Sequence, residues 1–126
     1  MHRSRLAGFI IDCKTADLPA AAGFWGAVLG MELKGLAGEE GENYVRLMDA
    51  DRSLHIEVQK VEHDSRVHLD IETDDVEAEA ARLEKLGARR VQKLNTWWVM
   101  EAPTGQRFCV VRAKAADFAE KASRWK

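Results

Sequence analysis

Four side chains able to carry protons or hold a cation sit at alternate positions in two short runs: His55 and Glu57 in Ser53–Val61 (SLHIEVQKV), His68 and Asp70 in Arg66–Glu72 (RVHLDIE). Leu54, Ile56 and Val58, and Val67, Leu69 and Ile71, fill the intervening places, the period of strands with one apolar and one polar face. A third run, Gln106–Arg112, sets Arg107 and Cys109 on one side and Phe108 and Val110 on the other. Imidazole beside carboxylate suits general acid–base chemistry or metal ligation, and a guanidinium can grip a carboxylate or phosphate with two parallel hydrogen bonds. No helix N-terminus or base is placed to activate Cys109, so it is expected to be a small buried residue. Polar groups gathered on a partly enclosed sheet face are costly unless paired or bound, so a ligand site is expected there.

The elements that must position these residues recur. Val67–Gly87 reads as a strand, a capped helix and a stop: Asp74 and Glu77 have capping-box spacing, Val76, Ala80, Leu83 and Leu86 form a stripe, and Gly87 ends it. In the first half Leu6–Cys13 is a strand, and Asp17 caps a helix with Pro19 in its first turn. Its stripe is Leu18, Ala21 or Ala22, Trp25, Val28 and Leu29, ended by Gly30. Met31–Leu36, Asn43–Met48 and Ser53–Val61 follow as strands, with a loop over Gly35–Gly41 and a turn over Asp49–Arg52. After the second helix come strands at Ala88–Lys93, Trp97–Glu101 and Gln106–Arg112. Asp17 and Asp75, Leu18 and Val76, and Trp25 and Leu83 match at one constant offset, and Leu54–Glu57 matches Gln106–Cys109 at a closer one. The economical explanation is an internal duplication of a β-α-β-β-β unit, residues 6–62 and 65–112, within one domain. Residues 113–126 are expected to form a docking helical tail, and His2 lies in a terminus expected to be mobile. His63 falls in the linker and is expected in solvent.

The rest of the sequence excludes more than it identifies. Its 126 residues have the length of one domain, and 19 basic against 21 acidic residues leave no field that would recommend nucleic acid or an anionic membrane. There is no long apolar span and no signal-like segment, and the two cysteines have no metal-knuckle spacing. A reducing cytoplasm is the expected location.

A doubled unit with the helix Asp17–Gly30 (DLPAAAGFWGAVLG), the segment His68–Gly87 and the closing Trp97–Val111 (WWVMEAPTGQRFCVV) resembles the vicinal oxygen chelate superfamily, the glyoxalase, bleomycin-resistance and extradiol-dioxygenase group. The resemblance implies an α+β fold: two tandem βαβββ units form an open barrel around a cleft, with helices outside. It also implies homodimers and a metal ligand on the first and last strands of each unit. Those four positions are Ile10, Glu57, His68 and Cys109, of which Glu57 and His68 fit, Ile10 cannot ligate and Cys109 is unusually soft. His55, Asp12 or Asp70 stands near enough to substitute.

Three readings stay open. One is a small-molecule-binding protein with an incomplete metal site. It would hold an anionic or aromatic ligand against Arg107, His55, Glu57, His68, Asp70, Tyr44 and one of Trp97 and Trp98. The second is a divergent lyase, isomerase or dioxygenase with Glu57 and His68 holding zinc, nickel, iron or manganese. A structural interaction module is the third, plainer possibility.

Overall fold

A computed structural model describes residues 1–49, 54–114 and 116–126. The chain divides into two compact units, Gly8–Val67 (the N-terminal unit) and His68–Lys126 together with Met1–Ala7 (the C-terminal unit). The elements are β1 (His2–Lys14), α1 (Leu18–Leu29), β2 (Glu32–Gly35), α2 (Glu40–Asn43), β3 (Tyr44–Met48), β4 (His55–Val61), β5 (Arg66–Thr73), α3 (Val76–Lys85), β6 (Arg89–Leu94), β7 (Trp97–Glu101), β8 (Arg107–Arg112), α4 (Phe118–Lys121) and β9 (Ser123–Trp125). Residues 50–52 of the expected turn, and Ser53 at the head of the expected strand, lie outside the described residues.

In the N-terminal unit Gly8–Lys14 runs parallel to β4, β4 is antiparallel to β3, and β3 to β2. The C-terminal unit repeats the plan: β5 is parallel to β8, with β7 and β6 antiparallel in turn. Close approach of β1 to β4 requires Gly8, because a Cβ there would stand 1.9 Å from the His55 carbonyl oxygen. The two helices begin with the same device. Asp17 Oδ1 accepts from Ala20 N at 3.1 Å and Asp75 Oδ1 from Ala78 N at 3.0 Å. The hydroxyls of Thr15 and Thr73 in turn accept from the capping aspartates' own N–H groups. The cap is thus Asp75; Asp74 accepts from Arg3 N, and Glu77 is held by Arg90, so the expected Asp74–Glu77 box does not form. Gly30 ends α1 in the left-handed conformation, at φ 66°.

Each helix covers the apolar face of its own sheet. Ile11, Leu18, Ala22, Leu47, Ile56 and Val58 are the buried core of the N-terminal unit, with Trp25 packed beside them. Ala80, Met100 and Val110, flanked by Val76, Leu83, Trp98 and Phe108, are that of the C-terminal unit. A fully buried side chain such as Leu47 or Met100 contributes about 2 kcal/mol by leaving water. The apolar stripes are narrower than their sequence spacing suggests. Val28 and Leu86 at the helix ends, and Val67 and Leu69 at the start of β5, are exposed rather than packed.

The tail is helical over a shorter stretch than expected. Only α4, of four residues, is helical; β9 then turns back antiparallel to His2–Ser4. Trp125 donates to Ser4 Oγ at 2.8 Å and lies under the Arg82 guanidinium, 3.8 Å away. His2 is fixed too, its Nε2 2.8 Å from the Oε1 of fully buried Glu79, which also accepts two hydrogen bonds from Arg82. Burial pushes the Glu79 carboxyl up, but Arg82, Ser4 and His2 outweigh it and hold the group below its ordinary value. Hydrogen bonding, not helix propensity, decides the conformation of both termini.

Candidate functional site

In the C-terminal unit the ladder pairs Leu69 with Phe108 and Asp70 with Cys109. Partners in a ladder share a face, so Asp70 and Cys109 are side-chain neighbours on the side away from α3. His68, two residues back on β5, joins them: its Nε2 is 3.5 Å from Asp70 Oδ1. One ligand atom from each of His68, Asp70 and Cys109 lies within 4.8 Å of the other two, and all three residues are half-buried. Imidazole, carboxylate and thiolate together suit a borderline-soft divalent ion such as zinc, and three protein ligands leave one position open for water or substrate. The resemblance groups His68 with Ile10, Glu57 and Cys109, and with Asp70 as a possible substitute; of these, Cys109 and Asp70 lie beside His68. Matching Leu54–Glu57 with Gln106–Cys109 misplaces the ladder by two residues. Asp12 pairs with Gln59 and Asp70 with Cys109, so at the constant repeat offset Cys109 corresponds to Gln59.

Arg107 is already engaged. Its Nε donates to Glu101 Oε2 at 3.0 Å, and Arg89 Nη2 to Glu101 Oε1 at 3.2 Å. The hydrogen bond from Arg107, then that from Arg89, holds the Glu101 carboxyl below the usual range. The adjacent tryptophans part as strand geometry demands. Trp98 pairs with Val110, packs against the Met100 cluster and donates to Glu77 at 3.4 Å, which places it on the α3 side. Trp97 takes the opposite side, with Val99 and Glu101.

The N-terminal unit has its own polar face, made by Ile10 and Asp12 of β1, His55, Glu57 and Gln59 of β4, and Tyr44 and Arg46 of β3. Ile10 pairs with Glu57, Arg46 with Glu57, and both Asp12 and Tyr44 with Gln59. Glu57 Oε2 lies 3.4 Å from His55 Nε2, and the buried Asp12 has its Oδ2 3.7 Å from Arg66 Nε. Arg46 went unnoticed in the sequence, although the alternation Tyr44-Val45-Arg46-Leu47 carried the signal. Val45 and Leu47 pack against the core, so Arg46 must face the other way. His63 is exposed. A depression of about 470 Å³ elsewhere in the C-terminal unit is lined by the start of α3, Lys93, Asn95, Thr96 and Arg112, and takes in none of His68, Asp70 and Cys109.

A sequence model of the glyoxalase-like domain matches residues 8–111, most of the chain and both repeats. The chain belongs to the glyoxalase-like domain family. Solved structures agree on the fold. Streptomyces coelicolor methylmalonyl-CoA epimerase in complex with 2-nitronate-propionyl-CoA superposes with a TM-score of 0.61 at 21% identity, covering 88% of this chain and 95% of that one. Methylmalonyl-CoA epimerase from Mycobacterium tuberculosis gives 0.63 at 16%, over 87% and 90%. A glyoxalase/bleomycin resistance protein/dioxygenase superfamily member from Vibrio splendidus gives 0.55 at 16%, over 82% and 96%. No curated protein matches. The α+β fold of repeated βαβββ units expected of the vicinal oxygen chelate group is therefore the fold of this glyoxalase-like chain. No helix among the described residues is long and apolar enough to cross a membrane.

Proposed function

We propose that this glyoxalase-like domain binds a small anionic or aromatic compound on its polar sheet faces, without the full metal centre that the family resemblance implies. The observation that supports this reading is the division of each sheet: an apolar side under a helix, and an opposite side of half-buried ionisable residues. Ionisable groups kept out of bulk water lose hydration that a bound ligand can replace. Ile10, at a position where the resemblance puts a ligand, offers only an alkyl chain and is buried. On the polar face of the N-terminal unit the contacts would come from His55, Glu57 and Tyr44; on that of the C-terminal unit the corresponding groups are His68, Asp70 and Trp97. The working form is a homodimer in the cytoplasm. The test is a calorimetric screen of aromatic and anionic compounds against protein purified without chelators. Saturable binding weakened by Tyr44→Ala or His55→Ala supports the reading; a panel that yields no binder overturns it.

A metal-dependent lyase, isomerase or dioxygenase is the second reading, favoured by the convergence of His68, Asp70 and Cys109. A divalent ion held there would polarise adjacent substrate oxygens. This reading predicts near-stoichiometric zinc, nickel, iron or manganese by elemental analysis. The metal would be lost in both His68→Ala and Cys109→Ser and kept in Glu57→Gln. If Glu57→Gln also empties the site, Glu57 regains the ligand role that the family resemblance implies.

A further inference from the structure

Arg46 is half-buried, and its Nε is shielded from water with no hydrogen-bond acceptor. Leaving such a donor unmade forfeits its hydration with nothing in return. The acid directly across the ladder is Glu57, yet the carboxylate of Glu57 lies against His55 instead. On the other flank the ladder sets Lys34 of β2 opposite Arg46. Two cations facing one another across adjacent strands repel, and neither has an ion pair among the described residues. Among the described residues, Glu32, on the same side of β2 as Lys34, and His55 on β4 flank this corner, and neither pairs with Arg46 or Lys34. A lysine on an exposed edge strand has a plain use in discouraging sheet-to-sheet aggregation. That use explains Lys34 alone and leaves the shielded Nε of Arg46 without an account.

We propose that Arg46, assisted by Lys34, is the anchor for an oxyanion of the ligand, a carboxylate or a phosphate, on the polar face of the N-terminal unit. The inference rests on the reading of the domain as a small-molecule binder and names the chemistry of its ligand. A guanidinium already stripped of part of its water gives more to an incoming anion than a hydrated one, and its fork matches two oxygens of a carboxylate or phosphate. An anion seated between Lys34 and Arg46 also removes their mutual repulsion.

The experiment is titration of the full chain with succinate and, separately, with inorganic phosphate at constant ionic strength, followed by amide chemical shifts and thermal unfolding. Neutral and cationic compounds run in the same panel. Saturable binding of either anion is expected, with shifts at β2 and β3. Arg46→Gln should weaken it at least about tenfold, the value of one charge-assisted hydrogen bond. Lys34→Gln should weaken it a few-fold, and Lys60→Gln, on the α1 side of β4, should leave it unchanged. Whichever of the two anions binds more tightly identifies the source of the oxyanion. If Arg46→Gln fails to fold, Arg46→Lys keeps the charge without the fork and should still lose affinity. Anion affinity that survives either Arg46 variant within twofold overturns the proposal. So does wild-type protein that binds only neutral or cationic compounds, an outcome that leaves the small-molecule reading standing. A panel with no binder of any kind defeats both.

Discussion

The same rung of the two sheets carries opposite charges. In the N-terminal unit Glu57 on β4 faces Arg46 on β3; in the C-terminal unit Arg107 on β8 faces Glu101 on β7. The second pair closes at 3.0 Å and recruits Arg89, whereas the Glu57 carboxylate sits against His55 and leaves Arg46 open. The helices differ in the same sense. Every side chain from Leu18 to Leu29 is uncharged, while α3 carries Glu77, Glu79, Arg82 and Glu84, all in ion pairs. A repeated scaffold is therefore stabilised mainly by packing in one unit, and by packing plus a charge network in the other.

The largest effects should come where the units are alike. Leu47 and Met100 are both fully buried at the centre of their cores, so Leu47→Ala and Met100→Ala should each cost about 3 kcal/mol in chemical denaturation. Hydrogen exchange shows whether each loss stays local. If Leu47→Ala strips protection from β7 and β8 as fully as from β3 and β4, the chain unfolds as one cooperative body. Separate losses make the two units independent in stability.

A smaller effect should appear only in the C-terminal unit. Glu79→Gln removes the charge that His2, Ser4 and Arg82 surround and should cost about 2 kcal/mol, since Arg82 keeps partial access to water. The pH dependence has a definite sign. The carboxyls of Glu77, Glu79 and Glu101 are all held below their ordinary value, so their contribution is present above about pH 4.3 and is lost as pH falls through the lower folded values. All three lie in the C-terminal unit, so acid should release β9 and α3 before α1. Near-ultraviolet circular dichroism of Trp125 and Trp98 against that of Trp25 would follow this, using single-tryptophan variants. Glu79→Gln should flatten the acid limb, and an unchanged limb would take Glu79 out of the account.

How much of this was legible depends on the range of the interaction. Periodicity and caps act over a few residues, which is why Asp17, Pro19 and Gly30, and the alternation of His68, Asp70 and Cys109, announced the helices and the polar faces. Ladder register is a long-range choice, and Gln106–Arg112 fits either of two registers with the same side facing in. The two-residue slip that puts Cys109 beside Asp70 left no local trace. The tail shows the same division: Phe118 lies in the short helix α4, but partners at Ser4 and Arg82, far away in sequence, hold Trp125 in a strand. The alternation of Arg46 between Val45 and Leu47 is plain in the sequence, but a lone arginine between two core positions carries no local sign of whether an acid closes on it.

The finest test of the comparison is at the helix starts. Thr15 and Asp17 repeat as Thr73 and Asp75 with cap distances that agree within 0.1 Å, 3.1 against 3.0 Å. Asp17→Ala and Asp75→Ala should therefore cost the same, about 1 kcal/mol each, the usual value of a lost N-cap. The threonines should not match. Thr15 is half-buried and donates only to the carbonyl of Asp17, whereas Thr73 is fully buried and donates to the Arg3 carbonyl at 2.7 Å. Thr73→Val removes the shorter of two hydrogen bonds to that carbonyl, the other coming from the Asp74 N–H at 3.3 Å, and should cost roughly 1 kcal/mol more than Thr15→Val. Equal aspartate costs with unequal threonine costs would mean that the cap belongs to the ancestral unit, and that the bond to Arg3 was added when the N-terminal strand joined the second repeat. Equal threonine costs would remove the bond to Arg3 from any part in holding β1 to the C-terminal unit, and would leave that task to β9 and Glu79.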